Sequence, residues 1–518
     1  MANRNSDMLF QLIKSLEKAE KRNFKLYIKR NTGNEDLKIV SLFDALDKMP
    51  EYDEALLLRK LRSVGKPQLA NSKQHLYKQL LASLRLLKTA DSIDMQLNEQ
   101  LDYARILYNK GLYHQSLRIL DRLKELARQH FKANFLTQVI AWEKKIEALH
   151  ITRSMLDRAE QLQTESAAVV ERVDRVTQLS NLALQLYSWY IHHGHARNAQ
   201  DEEGVRNFLL QRLPLGAHQF DGFYERLYLY QSYCWYSFIR QDFLQYYRYS
   251  RKWVEHFKLR PSMIKVETGF FIKGLHNLLN AHFDLRNYAG FDKALADFEL
   301  FAQADVVAKH DNHRIQSTIY IYSAKLNRHF MLGTFSEGLQ LVPDLESWLS
   351  RHSHYLDEHR IMVFRYKMAN LFFGSGDYGK TIDYLHPIIH HPSELRTDLQ
   401  CYARLLHLMA HYELQHDSVI ESLTRSVYRF MAKMKNFTGV DEAIFRFLRR
   451  TFHTPSRQLT PYLKELLLEI KGLEKDRFQT RTLAYLDIIS WVESKVYRMP
   501  LEQVIHEKYL ASKHRTKK

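Results

Sequence analysis

The chain carries 26 histidines, and several fall in tight groups. His192, His193 and His195 form one group, His386, His390 and His391 a second, and His407 and His411 a helical pair within HLMAH. Two imidazoles at i and i+4 share one helix face and can bind a metal from it. The glutamate of HExxH is missing, however, and spacing fixes no third ligand. The groups read as surface or helix-end histidines, and no metal or cofactor is expected.

A second candidate chemistry is aromatic. Tyr224–Phe257 reads YERLYLYQSYCWYSFIRQDFLQYYRYSRKWVEHF, with Arg226, Arg240, Arg248, Arg251 and Lys252 interleaved. Aromatics among arginines can grip a peptide or stack bases through cation–π contact. The competing reading is that tyrosines fill inter-helix packing with their hydroxyls at the surface. Tyr246, Tyr247, Tyr249, Arg248 and Arg251 are the candidate partner surface.

The third is polyanion binding. Lys14, Lys18, Lys21, Arg22, Lys25, Lys29 and Arg30 recur at three- and four-residue steps, so one continuous helix would carry a basic stripe. Arg446, Arg449 and Arg450 do the same in FRFLRR. Such stripes attract phosphates; the alternative is a solvated face, and Glu17 and Glu20 dilute the first stripe. Lys21, Arg22, Lys25, Lys29, Arg446, Arg449 and Arg450 are the candidate contacts. The glycine-rich FGSGDYG at Phe373–Gly379 has no strand before it and reads as a turn between helices, not a nucleotide site. No nucleophile elbow GxSxG occurs. No residue set supports an enzyme.

The elements that must position these residues are helices. Gly (17) and Pro (10) are scarce in the 518 residues, whereas β-rich folds need a turn signal every ~8–12 residues. The net charge of +17 sits at the ends: residues 1–90 hold 18 Lys+Arg against 10 Asp+Glu, residues 425–518 hold 20 against 10, and the middle holds 38 against 39. No apolar run suits a secretory leader or a membrane span. The two cysteines, Cys234 and Cys401, suit a reducing compartment. The expectation is a cytoplasmic protein with no membrane partner.

The middle of the chain repeats. YARILYNKGLYHQSLRILDRL at Tyr103–Leu123 turns at Gly111, followed by Tyr113, Ser116 and Leu117; YKMANLFFGSGDYGKTIDYLHPII at Tyr366–Ile389 repeats this with Gly376, Tyr378, Thr381 and Ile382. Weaker copies turn near Gly194, Gln241, Arg286, Gly333 and Gln415, and a degenerate one near Arg153. Steps of 39–47 residues holding two amphipathic helices read as an α-solenoid, because each hairpin has more apolar face than it can bury alone. Ala104 and Ala369, seven residues before their glycines, let the second helix pack close.

The Gly111 and Gly376 units resemble the tetratricopeptide repeat in their small–aromatic–Gly–x–Tyr–small–aliphatic order, down to Pro392 after the second. The period exceeds that family's 34 residues, which implies longer helices. LIKSLEKAEKRNFKLY, NSKQHLYKQLLASLRLL, YELQHDSVIESLTRSVYRFMAK and YLDIISWVESKVYRMPLEQVI are similar to a group of uncharacterised helical-repeat proteins of Bacteroidota. That resemblance implies fold and compartment, with no activity attached.

The expected fold is all-α: a right-handed α-solenoid of helical hairpins, tetratricopeptide-like with a period of about 40–47, with helical N- and C-terminal caps. Residues 1–90 form a basic N-terminal module with helices near 8–30, 37–48, 53–63 and 70–90, the last capped by Asn71 with Gln74. Residues 91–434 form the solenoid and 435–518 a basic C-terminal cap. The expected function is a non-catalytic scaffold for an unidentified protein or peptide. The alternative is a nucleic-acid-associated regulator that binds phosphates through both basic ends.

Overall fold

A computed structural model describes residues 7–30, 34–61, 66–150, 157–390, 396–434, 437–452, 454–479, 481–484 and 486–515. The described residues are helical or connecting turns, with no strand among them. The fold is all-α. The expected turn near Arg153, and His391 and Pro392, lie outside the described residues. The chain divides into two compact units, Met1–Glu171 and Arg172–Lys518.

The first unit opens with helices Met8–Ser15, Lys18–Arg30, Asn34–Lys48, Glu54–Lys60 and Lys66–Lys88. Ile13, Phe24, Leu42, Phe43, Leu57, Leu76 and Leu80 share its core. The single helix expected over 8–30 is broken. Leu16 leaves helical geometry for an extended one and is buried, so the basic stripe changes direction after Lys14. Asn71 caps nothing, because its helix already starts at Lys66; Pro67 sits in the first turn, where a missing N–H costs no helical bond. Helices Ile93–Asn109, Tyr113–Gln129 and Ala133–Leu149 follow, and helix Arg158–His193 runs through the division between units.

In the second unit, helices pair as hairpins: Phe223–Ile239 with Phe243–Lys258, Thr268–Asp284 with Tyr288–Ala302, Glu358–Ser375 with Tyr378–Ile389, and Thr397–Glu413 with Asp417–Lys433. Helix Asp311–Leu332 precedes the short helices Phe335–Gly338 and Val342–Arg351. Helices Gly439–Thr451, Thr460–Leu473, Ile488–Tyr497 and Leu501–Arg515 complete the chain. The first three of these share one core with residues 362–431, joining Leu405, Tyr402, Phe445, Ile470 and Trp491.

The turns show why the repeat reads as it does. Gly111, Gly194, Gln241, Arg286, Gly333, Gly376 and Gln415 all have φ between +51° and +90°, the left-handed region. At six of them the next residue's N–H reaches five residues back, as in Asp242 to Ser237 at 2.9 Å and Asp377 to Phe372 at 2.9 Å. This is the Schellman closure of a helix C-terminus. Asp242, Asn287 and Asp377 then cap the second helix, accepting from Gln245, Gly290 and Lys380 N–H. One residue ends a helix and its neighbour starts another.

The small residues also have a physical role. Ser116 Oγ donates to the Ala104 carbonyl at 2.8 Å, while Thr381 Oγ1 donates to the Asp377 carbonyl of its own turn at 2.9 Å and lies 3.4 Å from that of Ala369. In the first hairpin the hydroxyl of the second helix satisfies a carbonyl of the first; in the later one it marks where the two helices approach.

Candidate functional site

The aromatic stretch forms one hairpin, and its side chains divide between two sides. Tyr246 is 5% exposed, packs on Phe238 at 5.1 Å and donates to Asn277 Oδ1 at 3.4 Å. It is a core residue and leaves the candidate partner surface. Tyr247 lies half-buried against His282, and Tyr249 stacks on Tyr233 at 4.5 Å with Lys252 above its ring. Arg248 is exposed, and Arg251 is exposed but tied to Glu255 at 2.6 Å.

Acidic neighbours meet most of the candidate phosphate contacts. Lys21 pairs with Asp47 at 2.7 Å, Lys25 with Asp44 at 2.6 Å, Arg446 with Glu469 at 2.9 Å and Arg450 with Glu465 at 2.8 Å. Arg449 stands over the Tyr428 ring. Arg22 and Lys29 are exposed, with no ion pair among the described residues. An ion-paired cation releases fewer counterions on meeting a phosphate, so both stripes are weaker attractors than their letters suggest.

Two histidine groups converge. His386 and His390 on one helix lie near His407 and His411 on the next, and His411 Nδ1 is 2.9 Å from His416 Nδ1. Burial, then the neighbouring imidazoles, pulls His407 down to about 4, so it stays neutral. His192 and His193 bond their own helix, and His195 is buried against the Phe238 carbonyl. Among the described residues no set of three or more His, Cys, Asp or Glu has a metal-holding arrangement.

Gly374–Thr381, GSGDYGKT, fits the letter spacing of a phosphate loop, a match that reading only FGSGDYG overlooks. The structure gives it another use. Gly374 lies against Phe335, so closely that a Cβ there would fall 2.2 Å from that ring. The Asp377 carboxylate occupies the helix N-terminus, and the Thr381 hydroxyl is buried between helices. A carboxylate on those N–H groups repels phosphate. The segment is a repeat turn.

The residues that do converge went unread. Lys273, His276, Asn280 and Asp284 sit on one face of helix Thr268–Asp284; Gln316, Tyr320 and Asn327 on one face of Asp311–Leu332; Arg360, Lys367 and Asn370 on one face of Glu358–Ser375. Their three- and four-residue spacing within apolar helices was the available signal. Asn280, Asp284, Asn327, Lys367 and Asn370 line a cavity of about 700 Å³ in the second unit. Lys367 Nζ donates to Asn327 Oδ1. Asp284 Oδ2 is shielded from solvent and has no hydrogen-bond partner among the described residues. Burial pushes the Asp284 carboxyl up to about 7 and pulls Lys367 down to about 8.

The far wall of this cavity is the C-terminal part of the chain, including Glu474, Leu483, Leu486 and Trp491. Arg477 pairs with Glu202, and its carbonyl accepts from Gln241 Nε2 at 3.2 Å. Phe478 packs on the cluster of Leu182, Leu186, Tyr190 and Ile239. Further on, Glu502 accepts from Ser336 N–H at 3.0 Å and from its hydroxyl at 2.6 Å, while His506 meets the Leu332 carbonyl at 2.8 Å. A return tract thus crosses the first helices of the hairpins and fastens to residues 166–275 positions earlier. No family model, curated protein or solved structure matches the chain.

Proposed function

We propose that this chain is a non-catalytic helical-repeat scaffold, a right-handed solenoid of hairpins with helical caps, that holds a segment of another protein on its second unit. The supporting observation is the seat of Arg477 and Phe478. A short non-helical tract places a guanidinium on Glu202 and a ring on an apolar cluster, with a main-chain bond to Gln241. Those features bind a peptide in general: a charge-assisted contact, a partly buried aromatic anchor and a backbone hydrogen bond. A partner with adjacent basic and aromatic residues would use the same seat. The buried, unbridged thiols of Cys234 and Cys401 fit a cytoplasmic protein.

A labelled peptide spanning residues 471–487 tests the reading. The full-length chain carrying Arg477→Glu and Phe478→Ala should bind this peptide in trans, while the wild type, whose seat is filled, should not. An equal lack of binding by both chains would remove the reading.

A further inference from the structure

We propose that the cavity of the second unit binds a free α-amino acid with a large apolar side chain, its ammonium on Asp284 and its carboxylate on Lys367. The inference is independent of the scaffold reading, since it concerns the space beneath the return tract rather than the seat of Arg477.

Four of the six charged residues lining the cavity are engaged elsewhere or stand at its edge. Arg396 is held by Asp398 at 2.8 Å, and Asp487 caps a helix through Ser490 N–H at 3.1 Å. Arg286 and Glu474 are exposed at its edge. Asp284 and Lys367 remain: opposite charges on helices Thr268–Asp284 and Glu358–Ser375, which both pack on Asp311–Leu332, in one cavity, with no ion pair between them among the described residues. Lys367 turns to the neutral Asn327 amide, and Asp284 Oδ2 has no hydrogen-bond partner among the described residues. Both side chains are partly buried and line the cavity, and burial shifts both.

Dehydrating two opposite charges without joining them is costly, and it is relieved when something bridges them. Water satisfies either group separately, but it brings neither of them an opposite charge. A zwitterion meets each with its complement and is itself neutral, so it adds no net charge to a dehydrated site. The remaining wall suits the side chain: Phe283, Phe330, Phe335 and Phe373 contribute aromatic surface. The volume lies within the range of small-molecule sites, roughly 300–1,000 Å³. Asn280 and Asn370 add amides for the ligand's polar end.

Calorimetry on the full-length chain with L-phenylalanine and L-leucine tests the proposal, beside phenethylamine and 3-phenylpropionate, which each keep one charge. At least one of the two amino acids should bind, and both single-charge analogues should bind roughly tenfold or more weakly, as loss of a charge-assisted hydrogen bond requires. Asp284→Asn, close in size and shape, should weaken amino-acid binding by a similar factor while the circular dichroism spectrum stays that of the wild type. Asn327→Leu, which frees the Lys367 ammonium from its present partner, gives a second variant should Asp284→Asn fold poorly; it should alter amino-acid affinity and leave phenethylamine unchanged. Absence of binding by either amino acid at millimolar concentration overturns the proposal. So does binding that is indifferent to these substitutions.

Discussion

Gln241 Nε2 donates to the Arg477 carbonyl at 3.2 Å, joining a hairpin turn to a tract 236 residues later. The same Gln241 holds a left-handed φ of 57°, a conformation that glycine adopts at no steric cost. Gln415 holds φ 55° at the equivalent turn, but its side chain is exposed. The two positions therefore separate backbone strain from side-chain use. Gln415→Gly should stabilise the protein by about 0.5–1 kcal/mol in urea unfolding. Gln241→Gly should gain less or lose stability, because it relieves the same strain while cutting the tether. Equal gains would mean that the tether contributes nothing.

Gly333 makes a different demand. Its φ is 63°, and an added Cβ would fall 2.5 Å from His506 N and 2.7 Å from Glu502 O. Those are backbone atoms of the last helix and cannot swing aside as a side chain would. Gly333→Ala should therefore expose helix Leu501–Arg515 to protease before the rest of the second unit. Gly111→Ala, with φ 76° but open space around it, should cost only the backbone strain of about 1–2 kcal/mol.

In the first unit, Lys124 is bound by Glu143 and by Glu165 at 2.8 Å, and Arg158 reaches Glu143 at 3.2 Å. Glu143 is fully buried. Lys124→Met should destabilise by about 3 kcal/mol, because Arg158 alone then compensates the buried carboxylate. Combining it with Glu143→Leu should restore most of that loss, since replacing a buried ion pair by apolar groups is often close to neutral. A double-mutant cycle in denaturant measures both numbers.

The basic ends yield a salt experiment. With Lys21 and Lys25 held by Asp47 and Asp44, nonspecific duplex DNA should be retained weakly and released well below physiological salt. Asp44→Asn with Asp47→Asn should raise the eluting salt concentration. Arg22→Glu with Lys29→Glu should lower it more than reversal at Lys21 and Lys25. Retention above physiological salt in the wild type would instead favour a polyanion partner.

How much of this was legible differs from residue to residue. The turns were readable because a repeating period carries phase information even where glycine is replaced; Gln241, Arg286 and Gln415 were found that way and are left-handed. Their readable partner was overlooked, namely the Asp or Asn that follows two of them and caps the next helix. Tyr246 was misplaced because in an aromatic-dense helix every face looks amphipathic, and only Phe238 and Asn277 decide which ring turns inward. The cavity and the return tract were out of reach. Glu202 and Arg477 are 275 residues apart, and no local periodicity records a contact over that separation.

Titration of buried groups supplies the last test, with two opposite signs. Burial, assisted by Arg260 and Arg226, lowers His256 to about 4 from 6.5, so the unfolded chain binds more protons between those values. Its contribution is complete above pH 6.5 and is lost as pH falls toward 4. Asp284 behaves in reverse. Its carboxyl is raised from 3.8 to about 7 by burial, so the folded state holds the proton and stability falls as pH rises through that window. Urea unfolding at pH 4, 5, 6 and 7 should show His256→Gln flattening the acid limb. Asp284→Asn should gain stability over the wild type progressively from pH 4 to 7, with the gain complete once the carboxyl is ionised. A gain that does not vary with pH would mean that the Asp284 carboxylate is solvated in the folded protein and that its cavity is open to water.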